Sequence, residues 1–481
     1  MASYFRNPVI SQPGMDHGDP FVMSYLGRYY LYHTGGSGVH LHTSTDLVNW
    51  RYEGTVLAPK AECHWAQVDY WAPEVMYSKG TFYMYVSGTK RTAKGGDDAL
   101  RRLGIARSKS PLGPFEWDEH PLFDEWSIDA HPYRDDNGSL WLFYNIRTEE
   151  TRYVDGTTGC GNVVEAMSAP DQAVGNQMRV TFPTEPWEGD KKGTWYWNEG
   201  PTVLKRRGTY YQMYSGGCYR DETYAIGVAT APSPLGPWTK YPRNPIFTST
   251  SAISGPGHHS VVLGPDGVNL YAVYHGRIPQ DAGRKVHIDR LFWVGDHLKI
   301  LGPTEEEQKV PSGPVYDPQV PHWKATAWVR GTQVEFCGLR LSLADEGYQY
   351  LQVSYSCGLV TVYLDQKLKY AGLVSDNGFV PTCDGTIVAI TQTSCLDDAN
   401  VYELALGQNH SWHFGGNSPV DVSLAIKGSA RVYADDVLMW EGHSDSFTLV
   451  RFITSYGVNE IRVVADSRQA TVTDLLVTAM A

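Results

Sequence analysis

Residues 129–145 read DAHPYRDDNGSLWLFYN: a short run with apolar and aromatic positions, the cluster Asp135-Asp136-Asn137-Gly138, and a second run rich in Leu, Trp, Phe and Tyr. Such a cluster between two runs predicts a β-hairpin, because Asn and Gly accept the left-handed backbone of a tight turn. The pattern returns in DPFVMSYLGRYYLYHT (19–34), APEVMYSKGTFYMYVSG (72–88), EGPTVLKRRGTYYQMYSGG (199–217) and HHSVVLGPDGVNLYAVYHG (258–276). The turn glycines Gly27, Gly80, Gly138, Gly208 and Gly267 follow one another at 53, 58, 70 and 59 residues. A repeat of about 60 residues with one hairpin leaves room for two more strands, so each repeat is a four-stranded blade and five blades make a propeller. The second half of the blade repeats as well: ARSKSPLGPFEW (106–117) and ATAPSPLGPWTKY (229–241) are near copies, and HTSTDLVNWRY (42–52) is a looser one.

The pattern stops near residue 304. The stretch TEEEQKVPSGPVYDPQVP (304–321) is charged and Pro-rich and reads as a linker, while the remainder keeps strand alternation without a blade repeat. The expected architecture is therefore all-β: a propeller over 1–303, a linker over 304–321, and a jelly-roll-like β-sandwich over 322–481. The 48 Gly, 31 Tyr and 15 Trp of this 481-residue chain suit many turns, pleated strands and flat surfaces for sugars. A net charge of −13 argues against nucleic acid or an anionic membrane as the main partner. No apolar run is long enough to span a bilayer, and MASYFRNPVI lacks the core of a signal peptide, which favours the cytoplasm unless a leader was trimmed. The seven cysteines (63, 160, 218, 337, 357, 383 and 395) contain no CxxC pair and read most simply as free thiols; in a secreted protein the last four have the option of pairing.

In a propeller the first strand of each blade lines the axis. Nine residues before the turn glycines stand Gly18, Trp71, Asp129, Glu199 and His258, and a turn one residue shorter in the first two blades substitutes Asp19 and Ala72. Three carboxylates and a histidine, far apart in sequence, are thus expected around one mouth. Crowded carboxylates push one another's pKa upward, and glycoside hydrolysis needs one protonated and one ionised carboxyl group.

The motifs HGDPFV (17–22), YWAPEV (70–75), SIDAHPYRDDNG (127–138), WNEGPTV (197–203) and GPGHHSVV (255–262) make the chain resemble glycoside hydrolase family 43 over roughly residues 5–303. The resemblance implies a five-bladed propeller acting on arabinose- and xylose-containing oligo- or polysaccharides. It implies Asp19 as the base that activates water, Glu199 as the acid that protonates the leaving oxygen, and Asp129 as the carboxylate that orients the acid and keeps its pKa high. Ala130 departs from the family's Pro. Inversion requires room for water, so the carboxyl groups of Asp19 and Glu199 are expected about 6.5–9.5 Å apart. The resemblance also suggests His258 beside a weakly held, largely water-bound Ca²⁺ or Na⁺, and Arg277 reaching the substrate. Trp71, beside the site by register, is expected to stack on sugar, and His17 to contact a hydroxyl. The insertions 89–103 and 146–162 favour a closed pocket and hence exo action. The leading expectation is an α-L-arabinofuranosidase or β-D-xylosidase; a galactofuranosidase, an endo-arabinanase and a non-catalytic sugar-binding propeller are the alternatives.

Overall fold

A computed structural model describes residues 4–60, 63–278, 283–294, 296–316, 322–344, 347–356, 358–374, 378–394, 401–405, 409–413, 420–454, 460–473 and 476–479. Among them the chain is almost entirely β. Five antiparallel sheets follow one another between Phe21 and Ile300, each opening with a hairpin. Blade 1 contains Phe21–Tyr25, Arg28–His33, Val39–Ser44 and Arg51–Leu57; blade 2 contains Val68–Ser78, Thr81–Thr89, Arg102–Ser108 and Glu116–Trp117. Blade 3 opens with Ser127–Arg134, Leu140–Ile146 and Gly159–Ala169, and short strands at its edge extend it to six. Blade 4 runs through Glu199–Arg206, Thr209–Gly216, Ala225–Ala231 and Thr239–Lys240; blade 5 through Ser254–Leu263, Leu270–Arg277, Lys285–Val294 and His297–Ile300.

The core lies between blades, where apolar faces of neighbouring sheets meet. Tyr32, Leu41 and Val56 of blade 1 pack with Val75, Met84 and Ala106 of blade 2. Tyr85, Leu103 and Ile105 of blade 2 pack with Leu142, Tyr144 and Val163 of blade 3. Phe143 and Val164 meet Val203 and Tyr210 across the next seam, and Met213 and Val228 meet Ala272 and Leu291 across the one after it. The ring closes where Val22, Tyr29 and Leu31 of blade 1 pack on Val262, Val273 and Ile288 of blade 5. Among the described residues no strand is exchanged between the first and last blades, and the N-terminal segment adds to this packing where Val9 donates to the Val286 carbonyl.

The linker is not featureless: Gln308–Lys309 pairs with Tyr4–Phe5, tying the propeller's beginning to the chain that leaves it. Beyond it, a five-stranded sheet holds His322–Arg330 between Gln349–Ser356 and Thr386–Ser394. A three-stranded sheet faces it, and Trp323, Val353 and Val362 pack with Val334 and Phe336 between the two as a sandwich. The long strands Val420–Ala434, Val437–Ile453 and Glu460–Thr473 gather a separate cluster with Leu424, Val432, Ile461 and Val472. Trp323 is buried and Trp440 packs at the edge of that second cluster, whereas the side chain of Trp412 lies outside those described. Cys63, Cys160, Cys218, Cys337 and Cys383 are free thiols; Cys357 and Cys395 lie outside the described residues.

Candidate active site

The strand register refines the predicted equivalence. In blades 2, 3 and 4 the first strand carries a bulge between Trp71 and Glu74, Ile128 and His131, and Glu199 and Thr202. The residue after each of Trp71, Ile128 and Glu199 has a left-handed backbone: Ala72 at φ 47°, Asp129 at 55° and Gly200 at 54°. Asp19, at 55°, and His258, at 43°, hold the same place in blades 1 and 5. Asp19, Asp129 and His258 are thus equivalent. Glu199 stands one residue earlier, in register with Trp71. Counting from the turn glycines misses this offset because residues 135–139 separate the paired strands of blade 3, whereas only Arg207 and Gly208 do so in blade 4. Bulges aim side chains and non-glycine left-handed residues store strain, and both concentrate at functional sites.

The three carboxylates are brought together as expected. Asp19, Asp129 and Glu199 are 8 %, 5 % and 9 % exposed, so each keeps a sliver of surface at the axial mouth. One donor atom from each of Asp129, Glu199 and His258 lies within 4.8 Å of the others. His258 Nδ1 is 3.4 Å from Asp19 Oδ1 and 4.0 Å from Asp129 Oδ2.

Each carboxylate has a different environment. Burial alone would raise Asp19, but Arg284, which donates to its Oδ1 at 2.7 Å, and His258 hold the carboxyl well below the usual range. Thr34 donates its hydroxyl to the other oxygen, and the Asp19 N–H donates to His275 Nδ1 at 3.1 Å. Arg284 also binds Asp16 at 2.7 Å. Gly18 makes this approach possible, since a Cβ there would stand 1.8 Å from Arg284 Cζ. Burial pushes Glu199 up to about 7, aided by the charge of Asp19 and opposed by the Tyr224 hydroxyl, which donates to Oε1 at 2.7 Å. Burial likewise pushes Asp129 up to about 7, with Glu199 and Asp19 adding to the rise; His258 and the Gly200 N–H, 3.1 Å from Oδ2, oppose it. One carboxylate is therefore held ionised beside two that retain protons near neutrality.

The surrounding wall is aromatic and cationic. Trp71 is half-buried, with the Arg101 guanidinium 3.2 Å from its ring centre. Arg101 is itself buried and donates to the Asp69 carbonyl. The two insertions meet here: Arg147 pairs with Asp98 at 2.8 Å and lies over Trp126 at 4.4 Å, while Trp195 and Trp197 stack nearby. Arg277 donates to the Tyr219 carbonyl, and Arg284 lies 5.0 Å from the Tyr219 ring centre. His17 does not join this wall. It is fully buried against His33 and His42 and has no surface to offer a sugar, which corrects the expectation that it contacts a hydroxyl. Sequence reading missed Arg284 and Tyr224, which lie in loops that carry no repeat signal, and His275, which sits inside the fifth hairpin at a position the repeat does not mark.

Nδ1 of His258 faces carboxylates, so Nε2 is the ring atom left for an ion. A hard cation wants six or more oxygens, and direct ligation by Asp129 and Glu199 would strip their protons. These residues fit a hydrated ion beside His258 and do not fit a protein cage.

A separate cavity of about 650 Å³ lies further along the first strands, lined by Met23, Met76, Tyr133, Leu204, Trp328 and Tyr350. None of the three carboxylates lines it.

A propeller that converges differently protonated carboxylates on an aromatic-walled axial mouth is a glycoside hydrolase. Residues 5–298 match Glycosyl hydrolases family 43, and the chain belongs to that family. It is 28 % identical over 322 residues to a β-D-galactofuranosidase of Aspergillus niger, spanning 61 % of this chain and 84 % of that one. It is 28 % identical over 305 residues to an extracellular exo-α-(1→5)-L-arabinofuranosidase of Streptomyces chartreusis, spanning 57 % and 82 %. A thermostable family-43 glycoside hydrolase of known crystal structure is 39 % identical, with a TM-score of 0.58 over 64 % of this chain and 99 % of the other.

Proposed function

We propose that this hydrolase removes terminal α-L-arabinofuranose or β-D-xylose from oligo- or polysaccharides with inversion at the anomeric carbon. The observation that carries the reading is the opposite titration of Asp19, held ionised by Arg284, and Glu199, raised to about 7. Glu199 gives its proton to the glycosidic oxygen as the bond from the anomeric carbon breaks. Asp19 takes a proton from a water that attacks that carbon from the opposite face, so the new C–OH bond has inverted configuration. Asp129 accepts from the Gly200 N–H and so holds the strand that carries Glu199. Trp71 and Arg277 flank the sugar. The joined insertions, linked by Arg147 and Asp98, support exo action on a chain end.

A galactofuranosidase is the second reading, favoured by the Aspergillus relative. For a hydrated Ca²⁺ or Na⁺ we propose His258 as the contact; when bound, the ion would supply positive potential at the axis.

The test is release of 4-nitrophenol from the α-L-arabinofuranoside, β-D-xyloside and β-D-galactofuranoside, with and without chelator. Asp19→Ala is expected to lose about 10²–10⁴-fold in kcat on every substrate that the wild type cleaves. Glu199→Ala should lose less on these good leaving groups than on a natural oligosaccharide. Full activity in Asp19→Ala would sink the assignment, and cleavage of the galactofuranoside alone would select the second reading.

A further inference from the structure

Three histidines of blade 1 take no part in the proposed chemistry. His33 ends the second strand and His42 lies in the third; Leu31 pairs with His42, so Leu31, His33 and His42 share one face of the sheet. His17 reaches that face from the segment before the first strand, where its N–H donates to the Arg284 carbonyl. His17 and His33 are 0 % exposed and His42 is 3 % exposed. Their ring centres are 5.0 Å (17 to 33), 5.4 Å (33 to 42) and 5.8 Å (17 to 42) apart, and one ring nitrogen from each lies within 4.8 Å of the others.

Both nitrogens of His17, Nε2 of His33 and Nδ1 of His42 have no hydrogen-bond partner among the described residues. Buried polar atoms in that state are costly unless something fills the gap. The tautomer of His33 is set. Its Nδ1 lies 3.0 Å from the Thr34 carbonyl, which can only accept, so Nδ1 carries the proton and Nε2 presents its lone pair. A backbone carbonyl behind one ring nitrogen is the usual outer support of a metal-binding histidine.

We propose that His17, His33 and His42 bind one borderline divalent transition ion of the zinc class. Tetrahedral Zn–N bonds of about 2.0–2.1 Å put imidazole centres about 5 Å apart, close to the spacing here. Burial holds His17 and His42 down at about 4 and His33 well below its ordinary range, so the rings are neutral at physiological pH, the form that ligates. The charge of buried Lys285 also depresses His17. Three imidazole nitrogens select an ion of borderline softness, since hard ions take oxygen ligands. Thr34 connects the cluster to the carboxylate site, since its carbonyl holds His33 and its hydroxyl holds Asp19. The ion would brace blade 1 and take no part in bond breaking, and its existence does not depend on the hydrolytic reading.

The experiment uses the full chain stripped with chelator and reloaded with Zn²⁺ or Co²⁺. The wild type should retain one equivalent through gel filtration, melt at a higher temperature when loaded, and give the strong visible bands of four-coordinate Co²⁺. His42→Gln should weaken binding by more than the about 10–100-fold typical of losing an outer support. His120→Gln, at an exposed position, should change nothing. If the wild type retains no metal, or His42→Gln retains as much as the wild type, the proposal is overturned. Should His42→Gln fail to fold, the Co²⁺ spectrum of the wild type decides: four-coordinate bands uphold the site, and a weak six-coordinate spectrum overturns it.

Discussion

Tyr224 and Arg284 act in one sense on the two reacting carboxylates, since each favours the ionised form of its partner. The difference between the carboxylates comes from strength. A guanidinium outweighs burial at Asp19, whereas a neutral phenol at Glu199 does not. Activity should need Glu199 protonated and Asp19 ionised, so kcat/KM is expected to fall as pH rises through about 7 and to stay level well into acid. Tyr224→Phe removes a bond that favours the ionised form of Glu199. Its pKa then rises and the alkaline limb of the pH profile moves to higher pH; an unchanged or lowered limb would contradict the arrangement. The carboxylates themselves were legible because each opens a recognisable hairpin. Arg284 is not, because an arginine in the loop before a strand gives no hint of what it faces, and its pairing with Asp16 and Asp19 spans most of the propeller.

The unit that positions the site is the bulged first strand. Its left-handed residue turns a side chain into the mouth in blades 1, 3 and 5, and blade 4 puts Gly200 there instead. A Cβ on Gly200 would sit 3.2 Å from the His258 ring, at a backbone angle that costs other residues roughly 1–2 kcal/mol. Gly200→Ala is therefore expected to destabilise the protein by about that amount in urea titration and to lower kcat/KM by displacing His258. The hairpins and their order could be read from sequence, since turn glycines and alternating aromatic residues are local signals. The bulge is not legible, because it inserts residues without altering composition, and the longer turn of blade 3 puts a count from the glycines one place off at Glu199.

Across the whole molecule, five inter-blade seams close the ring and a sandwich follows. The sequence after residue 304 showed strands but not their partners, since sheet order there depends on contacts between distant segments. Trp328 of the sandwich is the clearest of these contacts, with ring centres 4.8 Å from Tyr25 and 6.0 Å from Tyr77 of the propeller. The Tyr348 N–H donates to the Tyr77 hydroxyl beside it. Trp328→Ala should cost about 3–5 kcal/mol in guanidinium unfolding while leaving the pH profile in place. The central claim is that Asp19 and Glu199 perform a single displacement by water, and it is tested most directly by proton NMR of the sugar released in the first minutes of hydrolysis. From an α-L-arabinofuranoside the account predicts the β anomer first, followed by slow mutarotation. The α anomer first would mean a covalent intermediate and would contradict it.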